Sequence, residues 1–205
     1  QFASFTITEK GYALRDIKGE LMPVVAADIA EGPEKARHAM AVVAAMLHYR
    51  YLAGAAPVAM VSMDNCSHNG EKLENVVKMV ANKWIENGHV DAGFMTYLNE
   101  KVSFPWSMID KITPRPDENV MKILSGDGFD DAGLIVTGKN TYTSAFVNAE
   151  EKEYLVIEDD FPNGRLPLDK AGVYYASRET VERVERMKVT TCLNPLHTCL
   201  AIFGC

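Results

Sequence analysis

No stretch of the 205 residues is apolar over the length needed to cross a bilayer, and no charged-then-apolar leader opens the chain. Neither a membrane span nor a secreted form is expected, and a cytoplasmic setting follows. Positive charge is scarce. Lys and Arg number 21 against 28 Asp and Glu, a net charge of −7, so nucleic acid is not an expected partner. Cysteine is sparse too. Cys66, Cys192, Cys199 and Cys205 form no CxxC pair, which argues against a zinc ribbon or a disulfide framework and for a reducing compartment. Three of the four fall in one apolar stretch, where free thiols are commonly buried. His38 and His48 lie on a helical pattern, read as a solvated and a packed histidine, and no metal is expected. Repeats and low-complexity tracts are missing. So is a Gly-x-Gly-x-x-Gly phosphate loop: Gly126-Asp-Gly128 is a turn signal without a following helix pattern.

What is present is an ordinary globular composition, 47% hydrophobic and 24% charged, in a chain long enough to bury a core. Phe2–Thr8 alternates like a strand and turns at Gly11. Gly32-Pro33-Glu34 reads as the start of a helix running to about Gly54. Pro57–Met63 is a short continuous apolar run, as in a parallel strand buried on both faces. It empties into Asp64-Asn-Cys-Ser-His-Asn-Gly70, and a helix follows over about 71–87. Strand, polar loop and helix make the βα unit of an open α/β sheet, where ligands bind at the carboxyl ends of strands. Asp64 and Asn65 sit at that end, either as ligand contacts or as residues that turn the chain and cap the helix.

A shorter helix is expected over 91–99. In 102–114, Trp106, Met108, Ile109 and Ile112 are expected to pack. Asp110 stands among these apolar residues and needs a partner, which Lys111, Arg115 or a ligand could supply. Residues 117–140 show little regular pattern. Strands are expected at 153–158 and 171–176, joined by a loop carrying Arg165. Ser177 is placed to cap a closing helix, and a domain boundary is expected there.

That closing helix, 178–205, is charged in its first half and apolar in its second. Its apolar end needs something to pack on, and the chain reads as the middle of a longer protein. Lys188, Asn194 and His197 sit where the halves meet. A lysine can act as a base, and amides or a neutral imidazole can hold an alkoxide, if the three face one pocket. Asn194 and His197, three apart, share a helix face. Lys188, nine before His197, falls about half a turn away on an ideal helix. A kink at Pro195 and a π-bulge around Thr190-Thr191-Cys192 would bring it round.

Four spaced motifs carry a resemblance: V-S-M-D-N-C-S-H-N-G at 61–70, F-P-W-S-M-I-D-K-I-T-P at 104–114, V-I-E-D-D-F-P-N-G-R at 156–165 and M-K-V-T-T-C-L-N-P-L-H at 187–197. Together with T-I-T-E-K-G-Y at 6–12 they are similar to the mannitol dehydrogenase family, the polyol-specific long-chain dehydrogenases/reductases. The resemblance implies an α/β chain: the later part of a Rossmann-type cofactor domain over 1–177, then the first helix of a mainly α C-terminal domain over 178–205. It implies an NAD cofactor, with NADP the alternative, bound in part by a glycine-rich segment upstream of residue 1. It implies hydride transfer between a polyol or sugar acid and its ketose or keto acid.

By the same resemblance Lys188 is the acid/base, Asn65 and Asn194 polarise the carbonyl or hold the alkoxide, and His197 hydrogen-bonds the substrate. Asp110 lies near cofactor and substrate, and Glu185 belongs to the proton path of the lysine. The family commonly has lysine five before asparagine and a glycine after it. Here the gap is six and Pro195 stands in the glycine's place, a pattern nearer the uronate reductases acting on fructuronate or tagaturonate. A neutral Lys188 calls for a dry setting, for which Met187 and Leu193 are expected to pack around it. A sugar-phosphate dehydrogenase would need a basic phosphate site, for which Arg165 and Lys139 are the candidates. A non-catalytic binding piece is the remaining alternative.

Overall fold

The structure, a computed structural model, describes residues 1–204 except Ile112, Glu150 and Lys152, and of Thr190 and Leu193 only the backbone. The packing expected of Ile112 and of the Leu193 side chain, and the thiol of Cys205, lie outside the described residues.

In chain order the elements are β1 (Phe2–Phe5), α1 (Pro23–Glu31), α2 (Ala39–Leu52), β2 (Val58–Ser62), α3 (Asn69–Glu86), α4 (Gly93–Glu100), β3 (Val102–Ser103) and β4 (Ser107–Ile109). Then come α5 (Glu118–Gly126), β5 (Ile135–Val136), β6 (Tyr142–Thr143), β7 (Leu155–Glu158), β8 (Tyr174–Ala176), α6 (Arg178–Glu185), a π-helical segment (Arg186–Leu193) and α7 (Asn194–Phe203). They form two compact units: residues 1–109 with 155–205, and residues 110–154.

In the first unit β1, β2 and β3 form a parallel sheet with β2 at its centre, Phe2 opposite Ala59 and Val58 opposite Val102. A second sheet pairs β4 antiparallel and β8 parallel with β7. Every residue of β2 is buried, as its continuous apolar sequence implies. Val58 and Met60 face one cluster, with Leu73, Val77, Trp84 and Phe94 from α3 and α4 and Met40 and Leu47 from α2. Ala59 and Val61 face the other, with Ile157 of β7. The alternation follows from the two-residue period of a strand.

Buried carboxylates redraw the expected boundaries. The first strand ends at Phe5 rather than Thr8 because the Asp64 carboxylate takes the backbone N–H groups of Ile7 (2.9 Å) and Thr8 (2.7 Å). The helix expected from Gly32 starts at Ala39. Asp28, fully buried, accepts from the N–H of Arg37 (3.0 Å) and His38 (2.7 Å), and His38 stands in extended backbone just ahead of the helix. His38 then caps α2 through Nδ1 (3.3 Å from Met40 N), so it is a cap rather than a solvated histidine. His48 packs edge-on against Phe94, and burial lowers its pKa. The unforeseen α1 has Pro at its first position and ends at Gly32, whose φ of 86° is the left-handed value glycine tolerates.

The second unit holds α5, capped by the Asp117 side chain on Asn119 N (2.8 Å), and the β5–β6 hairpin; α5 and β5 lie within the stretch that shows little pattern in sequence and β6 just beyond it. Lys111 pairs with Glu153 (2.6 Å), and Arg115 lies over the Tyr142 ring (4.4 Å).

Tyr12 donates to Asp64 (2.5 Å) and lies 2.6 Å from the Ser62 hydroxyl. Burial, then the bond to Asp64, raises its phenol pKa above the usual 10. A raised folded-state value means the folded chain holds the proton longer than the unfolded one, so stability falls as pH rises past about 10. Tyr12→Phe is expected to cost about 1–3 kcal/mol at neutral pH and to flatten that alkaline fall, as read by urea unfolding at pH 7 and pH 10.5.

Candidate functional site

The site is built at the carboxyl end of β2. Asn69, 1% exposed, is its anchor. Its Nδ2 lies 3.0 Å from Asp64 O and 3.0 Å from Ser107 O, and its Oδ1 accepts from Ser107 N (3.0 Å). The Ser107 hydroxyl closes the knot on Ser62 O (2.5 Å). The end of β2, the start of β4 and the first turn of α3 thus share one buried amide. Gly70 follows because a Cβ there would strike the Phe104 carbonyl and the Trp106 ring.

The knot leaves Asn65, Ser67 and His68 on the outer loop. Asn65 is exposed. His68 adopts a left-handed φ of 52° and stacks on Trp106 with ring centres 4.2 Å apart. The buried carboxylate of Asp64 accepts from Ile7, Thr8 and Tyr12, so it ties the β2 loop to the chain after β1.

The helix α6 is held at both ends, and its far end docks on this loop. At its start, Ser177 caps Thr180 N (3.4 Å). Arg178 donates to Glu158 (2.9 Å) and lies 5.0 Å over the Trp106 ring, while Glu158 accepts from Trp106 N (3.0 Å). Val181 is buried beneath the helix. At its end, Glu185 accepts from the Ser67 hydroxyl (2.5 Å) and from His68 N (3.3 Å).

Beyond Glu185 the backbone changes to a π-helix over Arg186–Leu193, with Asn194 N bonding to Val189 O. This is the irregularity that the spacing of Lys188 calls for. Val189, Thr190 and Thr191 are β-branched and hold α-helix poorly. The segment ends just before Pro195, which lacks the N–H and whose ring would clash with the carbonyl four residues back in a regular helix. A π turn takes about one residue more than an α turn, so Lys188 and His197 are roughly a quarter turn off the opposite faces they would occupy on an ideal α-helix.

Lys188 is half-buried, while Asn194 and His197 lie exposed on α7. Leu196, Leu200, Ile202 and Phe203 of α7 are exposed as well. So are Cys192 and Cys199, against the expectation of burial, because no described element covers this helix; Met187 is exposed for the same reason. Cys66 is half-buried, and burial raises its thiol pKa.

Arg165 is held by Asp159 (2.5 Å) and lies over the Tyr175 ring (4.5 Å), in the loop between β7 and β8. Asp110 is half-buried and opens the second unit. A cavity of about 320 Å³ in the first unit is lined by Glu74, Lys101, Asp160 and Arg178 and by none of the residues predicted to be catalytic. Burial, and then Glu158, raise the pKa of Asp160 there. Among the described residues no three His, Cys, Asp or Glu side chains gather as metal ligands. None of the helices they form is long and apolar enough to cross a membrane.

Sequence reasoning missed Asn69 and Ser67. The signal for Asn69 is its place just before a helix-opening glycine. Nothing local signals Ser67, whose partner lies 118 residues away.

The chain is 52% identical, over its whole length, to D-mannonate oxidoreductase of Thermotoga maritima, and spans 38% of that protein. It is 33% identical to mannitol 2-dehydrogenase of Phaeosphaeria nodorum over 98% of its length, spanning 33% of that relative. The chain thus spans about a third of the length of these curated relatives. Among solved structures it resembles Pseudomonas fluorescens mannitol 2-dehydrogenase in a ternary complex with NAD and D-mannitol, with a TM-score of 0.69 and 28% identity over 92% of this chain and 35% of that one. It also resembles substrate-free D-sorbitol dehydrogenase, with a TM-score of 0.67 and 29% identity over 87% of this chain and 34% of that one. The sequence profile of the mannitol dehydrogenase Rossmann domain matches residues 2–170, and the chain belongs to that family.

Proposed function

We propose that the chain is part of an NAD(P)-dependent oxidoreductase that interconverts a sugar acid and its keto acid, mannonate and fructuronate first and altronate and tagaturonate next. The observation that carries this reading is the π-helical segment: it takes Lys188 off the face opposite His197, and Glu185 ties its start to the loop bearing Asn65. The 52% identity to a D-mannonate oxidoreductase supports the choice of substrate. The carboxyl ends of β1, β2 and β3 offer the open strand-end setting in which dinucleotides bind, with exposed Asn65 beside it.

A bound nicotinamide would accept hydride from the alcohol carbon in oxidation and return it in reduction. Lys188 takes the hydroxyl proton in oxidation and gives it back to the ketone oxygen in reduction. The amides of Asn65 and Asn194 donate to that oxygen as charge develops on it. His197 holds a neighbouring hydroxyl, and Asp110 orients substrate and cofactor. The partners are then small molecules, in the cytoplasm, and the boundary near Ser177 separates the cofactor domain from a helical substrate domain. The 33% identity to a mannitol 2-dehydrogenase favours a second reading, an enzyme of that kind. A screen of the complete gene product with NADH and NADPH decides between them. Turnover of fructuronate or tagaturonate is expected, and preference for fructose would establish the second reading. Preference for fructose 6-phosphate would point to a sugar-phosphate dehydrogenase.

A further inference from the structure

We infer that Ser67 is a positioning residue: its hydroxyl, with the neighbouring His68 N–H, clasps Glu185 and fixes the rotation of the π-helical segment that carries Lys188. The inference rests on the proposed reading of Lys188 as the proton-transfer residue. The two oxygens of Glu185 go to two different donors, Oε1 to the Ser67 hydroxyl (2.5 Å) and Oε2 to His68 N (3.3 Å). A carboxylate held at two points is fixed in orientation as well as position. The socket is itself firm: the His68 ring is stacked on Trp106, and the next residues, Asn69 and Gly70, are locked into the strand-end knot.

The segment that the clasp steadies has weak support of its own. It begins at Arg186, directly after Glu185, and no side chain caps its start. π-helical turns persist only where surrounding contacts favour them, and reverting one to α geometry turns everything beyond it by about 100°. Lys188 stands three residues past the clasp, and Asn65 two residues before Ser67. One hydrogen bond therefore ties the backbone around the proposed base to the loop that bears the proposed amide donor. Ser67 itself has no part in the proton or hydride transfer.

Ser67→Ala and Ser67→Thr in the complete gene product test this. Ser67→Ala is expected to lower kcat by roughly 10- to 100-fold, the scale of a misplaced catalytic group, with KM and the cofactor Kd within about twofold. Ser67→Thr keeps the hydroxyl and is expected to restore at least half of the wild-type kcat. Amide exchange across 189–194 is expected to quicken in Ser67→Ala while the amides of α3 stay as in the wild type. A wild-type kcat in Ser67→Ala, a Ser67→Thr as slow as Ser67→Ala, or unchanged exchange across 189–194 would each overturn the inference. If the wild type turns over no polyol or sugar acid, the reading of the site fails instead. The exchange comparison still decides whether the clasp holds the segment.

Discussion

Lys188→Met is expected to lower turnover of the complete gene product by about 10²–10⁴-fold, the range removed with a general acid/base, while cofactor affinity stays within about twofold. Methionine is the informative replacement. Lys188 is half-buried in the π-helical segment, so alanine would remove packing together with the amine. Lys188→Arg should not rescue, because a guanidinium stays charged and is larger. The measurement is steady-state reduction of the preferred keto acid, with nucleotide binding followed separately. A Lys188→Met enzyme within threefold of wild type would remove the lysine from the chemistry. It would leave the π-helical segment as a structural accommodation of Pro195.

The parts legible in the sequence are those whose causes are local. The continuous apolar run of β2 announced a strand buried on both faces, and Ser177 announced the helix it caps. The irregularity beyond Glu185 was readable because three chemical groups, a fixed spacing and a proline could be reconciled in one helix only by a wide turn. Helix α1 carried its signals as well, Pro23 at its start and Gly32 at its end, but Gly32-Pro33 also resembles a helix start. What stayed hidden is made by distant partners. Nothing local to Asp64 shows that its carboxylate accepts from Ile7, Thr8 and Tyr12. Glu185 likewise gives no local sign that Ser67 and His68 hold it. In both cases a short polar loop supplies a charged or hydroxyl group whose use is decided by chain far away in sequence. Local pattern cannot assign that use.

Asn69→Ala is expected to cost about 2–4 kcal/mol in stability, the largest single loss among the polar residues of the loop. The amide is 1% exposed, and its removal strands Ser107 N, a buried donor whose partner it is. The Asp64 and Ser107 carbonyls lose a donor in the same step. Ser62 O keeps the Ser107 hydroxyl, so the strand end loosens without coming apart. For a chain of this size the loss corresponds to a fall in Tm of roughly 5–15 °C. Asn69→Asp should be at least as damaging. A carboxylate can still accept from Ser107 N, but it cannot donate and would set a negative charge against the carbonyls of Asp64 and Ser107. Turnover should fall even at temperatures where the variant remains folded, because the loop that hangs on Asn69 bears Asn65 and the donors that hold Glu185. Thermal unfolding and kcat measured together separate this from a surface effect. A Tm within 2 °C of wild type would mean that the strand end holds without its buried amide, and the loop would then need another anchor.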